Sequence, residues 1–218
     1  MVKKRVDGPP DEPEKEATQE EPKPQASINL QRIERGQLDV PIMGTAPLIV
    51  HRFDEKAKLM MLQAMQTKTR SKKAPKDPDG EFERSMYRFL DGDHGFPAVG
   101  FKAAMVDSAR LFEGVKMTEL RACIHVIGEG PEQLIRIKSD PPRMREDAVR
   151  VGMGTADLRY RAEYPINWQA VLRINFVPSM ISAASVVALV DAAGLGGVGE
   201  WRPSKAKTGI YGTFEVVA

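Results

Sequence analysis

A single cysteine, Cys123, in 218 residues excludes a disulfide framework and a cysteine-based zinc site. Long apolar runs are missing too, and none approaches the roughly 20 residues that a membrane helix needs. The chain opens on a basic cluster, MVKKRVDGPPDEPEKE, without the apolar stretch of a signal peptide. These absences point to a soluble protein of a reducing, cytoplasmic setting with no membrane partner. The three histidines, His51, His94 and His125, are scattered, and neither a Walker A sequence nor a His-Glu-x-x-His motif occurs. No metal and no cofactor is expected.

What is present divides unevenly along the chain. Residues 1–26 are rich in Pro, Glu and Lys and hold no aromatic side chain, so they cannot bury enough apolar surface to offset their ordering entropy. They read as a disordered, acidic, proline-rich tail ahead of a single domain over 27–218. Within the domain, Leu38, Val40 and Ile42 alternate as a strand does. Asp54 is a suitable N-cap for a helix to about Gln66, with Ala57, Met61, Ala64 and Met65 on one stripe. Residues 67–81, TKTRSKKAPKDPDGE, show no apolar periodicity and read as a long polar loop.

After Pro97 a helix places Phe101, Ala104, Met105, Ser108, Ala109 and Phe112 on one face, with Gly114 ending it and Lys102 and Arg110 on the opposite side. Leu120, Ala122, Ile124 and Val126 alternate as the next strand, with Leu134–Lys138 as its expected partner across the turn GEGPE. Residues 139–164 are charged and read as an irregular excursion or a long hairpin. The clearest strand follows: Ile166, Trp168, Ala170, Leu172, Ile174 and Phe176 point one way, Asn167, Gln169, Arg173 and Asn175 the other. A helix from Ser179 or Ser182 buries Val186, Val187, Leu189, Val190 and Ala193 and stops at Gly194, and Ile210 to Val216 closes the pattern. Strand, helix, strand repeated twice gives an α+β, ferredoxin-like antiparallel sheet with helices on one face. Large loop insertions are expected near 67–95 and 139–164.

Charge is concentrated in two basic stretches. One runs from Arg52 to Lys76 and includes Lys68, Arg70, Lys72 and Lys73; the other holds Arg143, Arg145, Arg150, Arg159 and Arg161. A solvated face explains one such run, whereas two in a modest chain favour an anionic partner. The loop Gly194-Leu-Gly-Gly-Val-Gly199 matches G-x-G-x-x-G, yet it closes a helix instead of opening one, which excludes the dinucleotide use of that pattern. Lys207-Thr208-Gly209 likewise lacks the partner motifs of a β-lactamase.

The stretch from Gly197 through Glu200, Trp201, Arg202, Lys205, Lys207, Gly209, Tyr211 and Gly212 to Val216 resembles the glycine-rich loop of the RAMP superfamily, the repeat-associated proteins of CRISPR systems. Gly95-Phe-Pro97 through Lys102 to Arg110 is similar to the segment where that family's helix opens after a proline and carries a lysine. The position one turn on, usually arginine, is Val106 here. Gly44-Thr-Ala-Pro47-Leu48 echoes the first-strand loop. The resemblance implies an RRM-like domain, with the loop between the last helix and last strand. The sequence also looks like proteins encoded in tailed-phage genomes, which would make it a lone relative in a bacterial host cell.

The resemblance implies a backbone-type subunit that holds single-stranded RNA or DNA and assembles head-to-tail with copies of itself into a filament. Gly197 and Gly199 would let phosphates approach backbone N–H groups, Arg202, Lys205 and Lys207 would add charge, and Trp201 and Tyr211 would stack on bases. Lys102, Arg110 and the five arginines between Arg143 and Arg161 complete the expected contacts. A RAMP-type endoribonuclease is the alternative, with His51 and Asp54 as its only catalytic candidates; a phage structural or assembly protein without a nucleic-acid role is the third reading.

Overall fold

Alternation builds the central strand, and everything else is arranged around it. The structure is a computed structural model that describes residues 29–53, 55–66, 75–151, 155–205 and 208–217. Residues 33–218 form one unit. Strand β9 (Gln169–Phe176) buries Ala170, Leu172, Ile174 and Phe176 and leaves Gln169, Val171 and Arg173 exposed. Strand β1 (Gly36–Gly44) pairs antiparallel along its whole length, from Gly36 opposite Phe176 to Met43 opposite Gln169. On the other side of β1 lies β10 (Phe214–Val216), and on the other side of β9 lies β5 (Ile124–Ile127), both antiparallel. The order β10-β1-β9-β5 is the fourth, first, third and second strand of a ferredoxin-like sheet.

The crossover after β1 leads to α3 (Ala98–Ser108) and the crossover after β9 to α5 (Ala183–Gly196), and the two helices pack on each other over the sheet. Helix α3 follows Pro97 and buries Phe101, Ala104, Met105 and Ser108. The rings of Phe96, Phe101, Phe214 and Trp168 meet edge to face in succession, with centroids 5.5, 6.0 and 6.1 Å apart. Trp168 is fully buried, and its indole N–H donates to the Ala46 carbonyl at 2.9 Å. Ser182 caps α5 by accepting the Ser185 N–H at 3.1 Å. The helix passes Gly194, the expected stop, and ends at Gly196. Gly194 serves contact instead: a Cβ there would lie 1.8 Å from the Phe214 carbonyl oxygen, so helix backbone rests directly on β10.

Two further three-stranded sheets join the expected insertions to segments outside them. Strand β2 (Leu48–Val50) pairs with β8 (Thr155–Tyr164), which forms a long antiparallel hairpin with β7 (Arg143–Val151). Of the two forms expected for 139–164, the hairpin is therefore the one found. Strands β3 (Tyr87–Arg88), β4 (His94–Pro97) and β6 (Leu134–Arg136) make the third sheet.

Several elements differ from the expected ones. Leu120 and Ala122 belong to a short helix, α4 (Met117–Cys123), whose buried Leu120 and Cys123 are three residues apart, and the strand begins only at Ile124. The segment at Leu134 pairs with β4, while β5 pairs with β9, since the turn at Gly130 redirects the chain to another sheet. At the end of the expected polar loop begins α2 (Pro78–Arg84), started by Asp77, whose carboxylate accepts the Gly80 N–H at 3.0 Å, and by a proline in its first turn. Helix α1 (Glu55–Gln66) is present, but Leu59, Met61, Leu62 and Met65 are exposed. The expected tail, Asp54, Lys68, Arg70, Lys72, Lys73 and Lys207 lie outside the described residues.

Candidate nucleic-acid interface

The glycine-rich loop leaves α5 at Gly197 (φ +67°) and runs past Gly199 (φ +79°) to Gly212 (φ +67°) before entering β10. Left-handed backbone at three positions explains the residue type. The glycines bring the loop against the protein's own chain. A Cβ on Gly199 would stand 2.5 Å from the Ile49 carbonyl oxygen, and one on Gly212 would stand 1.8 Å from that of Val198. Loop N–H groups are engaged in the same way: Gly197 donates to Ala193, Val198 to Gly212, Glu200 to Ile49 and Gly212 to Pro47, all at 2.8–3.0 Å. Gly197 and Gly199 thus shape the loop by close packing, and at Gly197 the backbone donor expected for a phosphate already has a carbonyl partner.

That shape puts Trp201 on display. Trp201 is a non-glycine residue in left-handed backbone (φ +54°), and the residue is 37% exposed. Its carbonyl accepts the Tyr211 N–H, which closes the loop on itself. Arg202, half-buried, donates from Nη1 to the Gly199 carbonyl and from Nε to Ser204 Oγ at 3.1 Å, so part of its guanidinium is structural. Lys205 is exposed. Arg110 lies across a cavity of about 310 Å³ from the loop's Pro203 and Ser204, whereas Lys102 turns away to donate to the Arg121 carbonyl at 3.0 Å beside His125.

The hairpin stands next to the loop through Tyr211. Arg145 lies over the Tyr211 ring, 4.7 Å from its centroid, and donates to its hydroxyl at 3.0 Å. The same guanidinium donates to Glu163 at 2.8 Å and to Asp147 at 2.9 Å. Arg143 donates to Glu163 at 2.8 Å, and Arg161 pairs with Asp147 at 3.4 Å. Hairpin register explains the assembly: Arg143 faces Glu163 and Arg145 faces Arg161, which puts alternate residues of both strands on one face. Glu163 is buried. Burial pushes its carboxyl pKa up, but the bonds from Arg145 and Arg143 outweigh this and hold it below the usual value. Arg161 is 2% exposed, and its Nε has no hydrogen-bond partner among the described residues. Arg150 is exposed, Arg159 half-buried, and neither has an ion-pair partner among the described residues.

Beneath the loop is a cavity of about 140 Å³ lined by His51, Tyr87, Phe96, Gly100, Ala103, Val198, Gly199, Glu200 and Arg202. Burial lowers the His51 pKa, Arg161 and Arg159 lower it further, and Glu200 opposes them, so the imidazole is neutral at pH 7. His51 thus sits beside the loop, while Asp54 lies outside the described residues. Glu200 and Tyr87, which line the same cavity, had no role assigned from the sequence, since the segments that meet here are separated by up to 151 positions, from His51 to Arg202.

No protein-family model and no curated protein matches the chain. In the cryo-EM structure of the Type III-B Cmr-beta bound to cognate target RNA, one chain is similar at TM-score 0.52 and 9% identity, covering 84% of this chain and 59% of that one. The protein therefore spans about three fifths of that relative's length. Cmr6 from Pyrococcus furiosus matches over 85% of this chain and 100% of its own, at 10% identity and TM-score 0.42. The likeness to the Cmr-beta chain is one of fold, and the mixed helix and antiparallel sheet architecture agrees with the α+β class expected from the sequence. Among the described residues no helix is long and apolar enough to cross a membrane.

Proposed function

We propose that the protein holds single-stranded nucleic acid across the glycine-rich loop and the neighbouring arginine face of hairpin β7–β8. One observation carries the reading: Trp201 is held in left-handed backbone with its ring partly exposed, in a loop that also presents Lys205 and is joined to the hairpin through Arg145 and Tyr211. Backbone strain at an exposed aromatic is retained where the side chain has work at the surface, and an aromatic platform beside cations is how strands are bound without sequence choice. The Cmr-beta structure that contains the similar chain is bound to cognate target RNA, which is consistent with this use of the fold.

In this reading Trp201 stacks on a base, Arg143, Arg159 and Lys205 meet phosphates, and Arg161 supports Asp147 from the interior, while Arg150 points from the hairpin's other face. Arg110 extends the surface along α3. Assembly with further copies would use α1, whose exposed Leu59, Met61, Leu62 and Met65 form an apolar stripe; sedimentation with and without an oligonucleotide checks this.

The protein's fluorescence offers a direct test. Its two tryptophans differ in kind, Trp168 being buried and Trp201 partly exposed. Titration with an oligouridylate at low salt is expected to quench Trp201, and Trp201→Ala is expected to weaken binding by about 1–3 kcal/mol. Absence of binding at low salt, or full affinity in Trp201→Ala, would overturn the assignment of the loop.

A further inference from the structure

The cavity beneath the loop differs from the rest of the surface in how its polar groups are left. His51, Tyr87 and Glu200 line it, and among the described residues no hydrogen bond is made by the imidazole, the phenol or the carboxylate. Glu200 acts electrostatically on both other groups across the cavity that all three line. Half-buried polar groups that converge without partners are the mark of a site completed by a ligand. One wall is aromatic: Phe96 lines the cavity, with the Tyr87 ring edge-on to it at 6.2 Å. Gly100 forms part of the same lining, and a Cβ there would come within 2.6 Å of the Phe96 ring.

Size and charge narrow the ligand. About 140 Å³ is well below the roughly 300 Å³ at which pockets for whole small molecules begin, so the cavity takes one part of a ligand held elsewhere. Arg202 also lines the cavity, but its Nε and Nη1 are taken by Ser204 and the Gly199 carbonyl, and Arg161 acts on Glu200 electrostatically without a hydrogen bond, so the carboxylate is left open to a ligand that donates and works against a phosphate. A planar base against Phe96 fits, and its edge must satisfy a carboxylate. Adenine and cytosine each offer one donor next to an acceptor on the Watson–Crick edge, and uracil sets one donor between two acceptors. Guanine alone presents two adjacent donors, N1–H and the N2 amino group, that match the two oxygens of a carboxylate, with O6 beyond them as acceptor for Tyr87 Oη–H or an imidazole N–H.

We propose that this cavity receives one unstacked base of the bound strand and that Glu200, with His51 and Tyr87, selects guanine. The inference rests on the strand-binding reading given above and adds a base preference to it. Reading an extruded base by its pairing edge against an aromatic wall is a general mode for single strands. Val198, Gly199, Glu200 and Arg202 belong to the glycine-rich loop itself, so a strand crossing the loop has only to turn one base inward.

The test compares full-length protein binding to labelled 12-mers of uridine with 12-mers in which one central position is guanine, adenine or cytosine. The expected result is a roughly tenfold tighter Kd for the guanine strand alone, as one bidentate contact gives. Glu200→Gln, which keeps shape and the backbone bond to Ile49, is expected to abolish the guanine-to-uridine ratio, and His51→Gln to reduce it about threefold, with unchanged melting temperatures as the control for folding. Equal affinity for all four strands overturns the base pocket while strand binding stands. A guanine preference that survives both substitutions places the reader elsewhere and also overturns it. No binding of any strand overturns both readings.

Discussion

The hairpin and the cavity flank the same loop and treat their charges in opposite ways. On the hairpin, Arg143, Arg145 and Arg161 are matched by Glu163 and Asp147 in a continuous set of ion pairs, and Tyr211 is drawn into it. In the cavity, His51, Tyr87 and Glu200 stand close together with none bonded to another. The difference teaches that an arginine counted in a sequence is not yet a positive charge offered to a partner. Three of the hairpin's five arginines are spent on its own carboxylates, and what remains outward is Arg150, Arg159 and the open side of Arg143.

The comparison breaks most sharply if the hairpin set is opened from inside. Glu163→Gln leaves Arg143 and Arg145 without their shared anion. A buried pair that loses one partner costs about 3–5 kcal/mol, but the Arg143 side chain is 76% exposed, so about 2–4 kcal/mol is expected in urea unfolding. The pH profile gives an independent reading. Because the folded Glu163 pKa lies below its unfolded value, the stabilisation is complete above the ordinary carboxylate range and is lost as pH falls through the depressed folded value. Wild-type stability should fall more steeply than that of Glu163→Gln in this acidic window. Equal slopes would show that the pairs are open in solution.

A smaller effect separates the loop's shape from its chemistry. Gly212→Ala puts a methyl 1.8 Å from the Val198 carbonyl oxygen at φ +67°, with no candidate contact residue altered. A loss of about 2 kcal/mol in melting is expected, and oligonucleotide affinity should fall with it through displaced Trp201. If stability falls and affinity is kept, the loop's geometry is not what presents the ring.

Sequence patterns exposed the frame more readily than either charged region, and the reasons are local. Leu172, Ile174 and Phe176 alternate over a strand long enough to have one reading, and Ser182 marks the start of α5, whereas Gly194, a packing glycine inside the helix, suggests an end two residues early. Leu120 to Val126 was ambiguous because a run that short fits a two-residue period and a three-residue spacing alike, and burial of Leu120 with Cys123 decided for helix. Helix α2 was hidden because it has no buried residue and is defined by Asp77 and Pro78 alone. The ion pairs join residues 18 and 20 positions apart, which become neighbours only once the hairpin register is known. Trp201 and Arg202 became candidates through the loop's resemblance, whereas Glu200 became one only once Tyr87 and His51 were brought to the same cavity.

The smallest effect is also the one that sharpens the comparison most, because it sets two arginines of one strand against each other. Arg143 and Arg150 are both exposed on β7, but Arg143 is held by Glu163 and Arg150 has no ion partner among the described residues. They also lie on opposite faces, since their positions differ by an odd number and successive side chains alternate. Arg150→Ala should leave stability within about 0.5 kcal/mol of wild type, as exposed unpaired positions do. If Arg150 meets a phosphate, its loss lowers the salt dependence of single-strand binding by about 0.7 in the slope of log K against log salt. Arg143→Ala leaves the Glu163 carboxylate with Arg145 as its remaining guanidinium, so part of its effect must appear in melting even before any strand is added. A change of slope in Arg143→Ala alone would confine the strand to the face shared with Tyr211 and the loop. A change in Arg150→Ala alone would move the strand to the hairpin's opposite side, away from Trp201, and separate the two halves of the proposed surface.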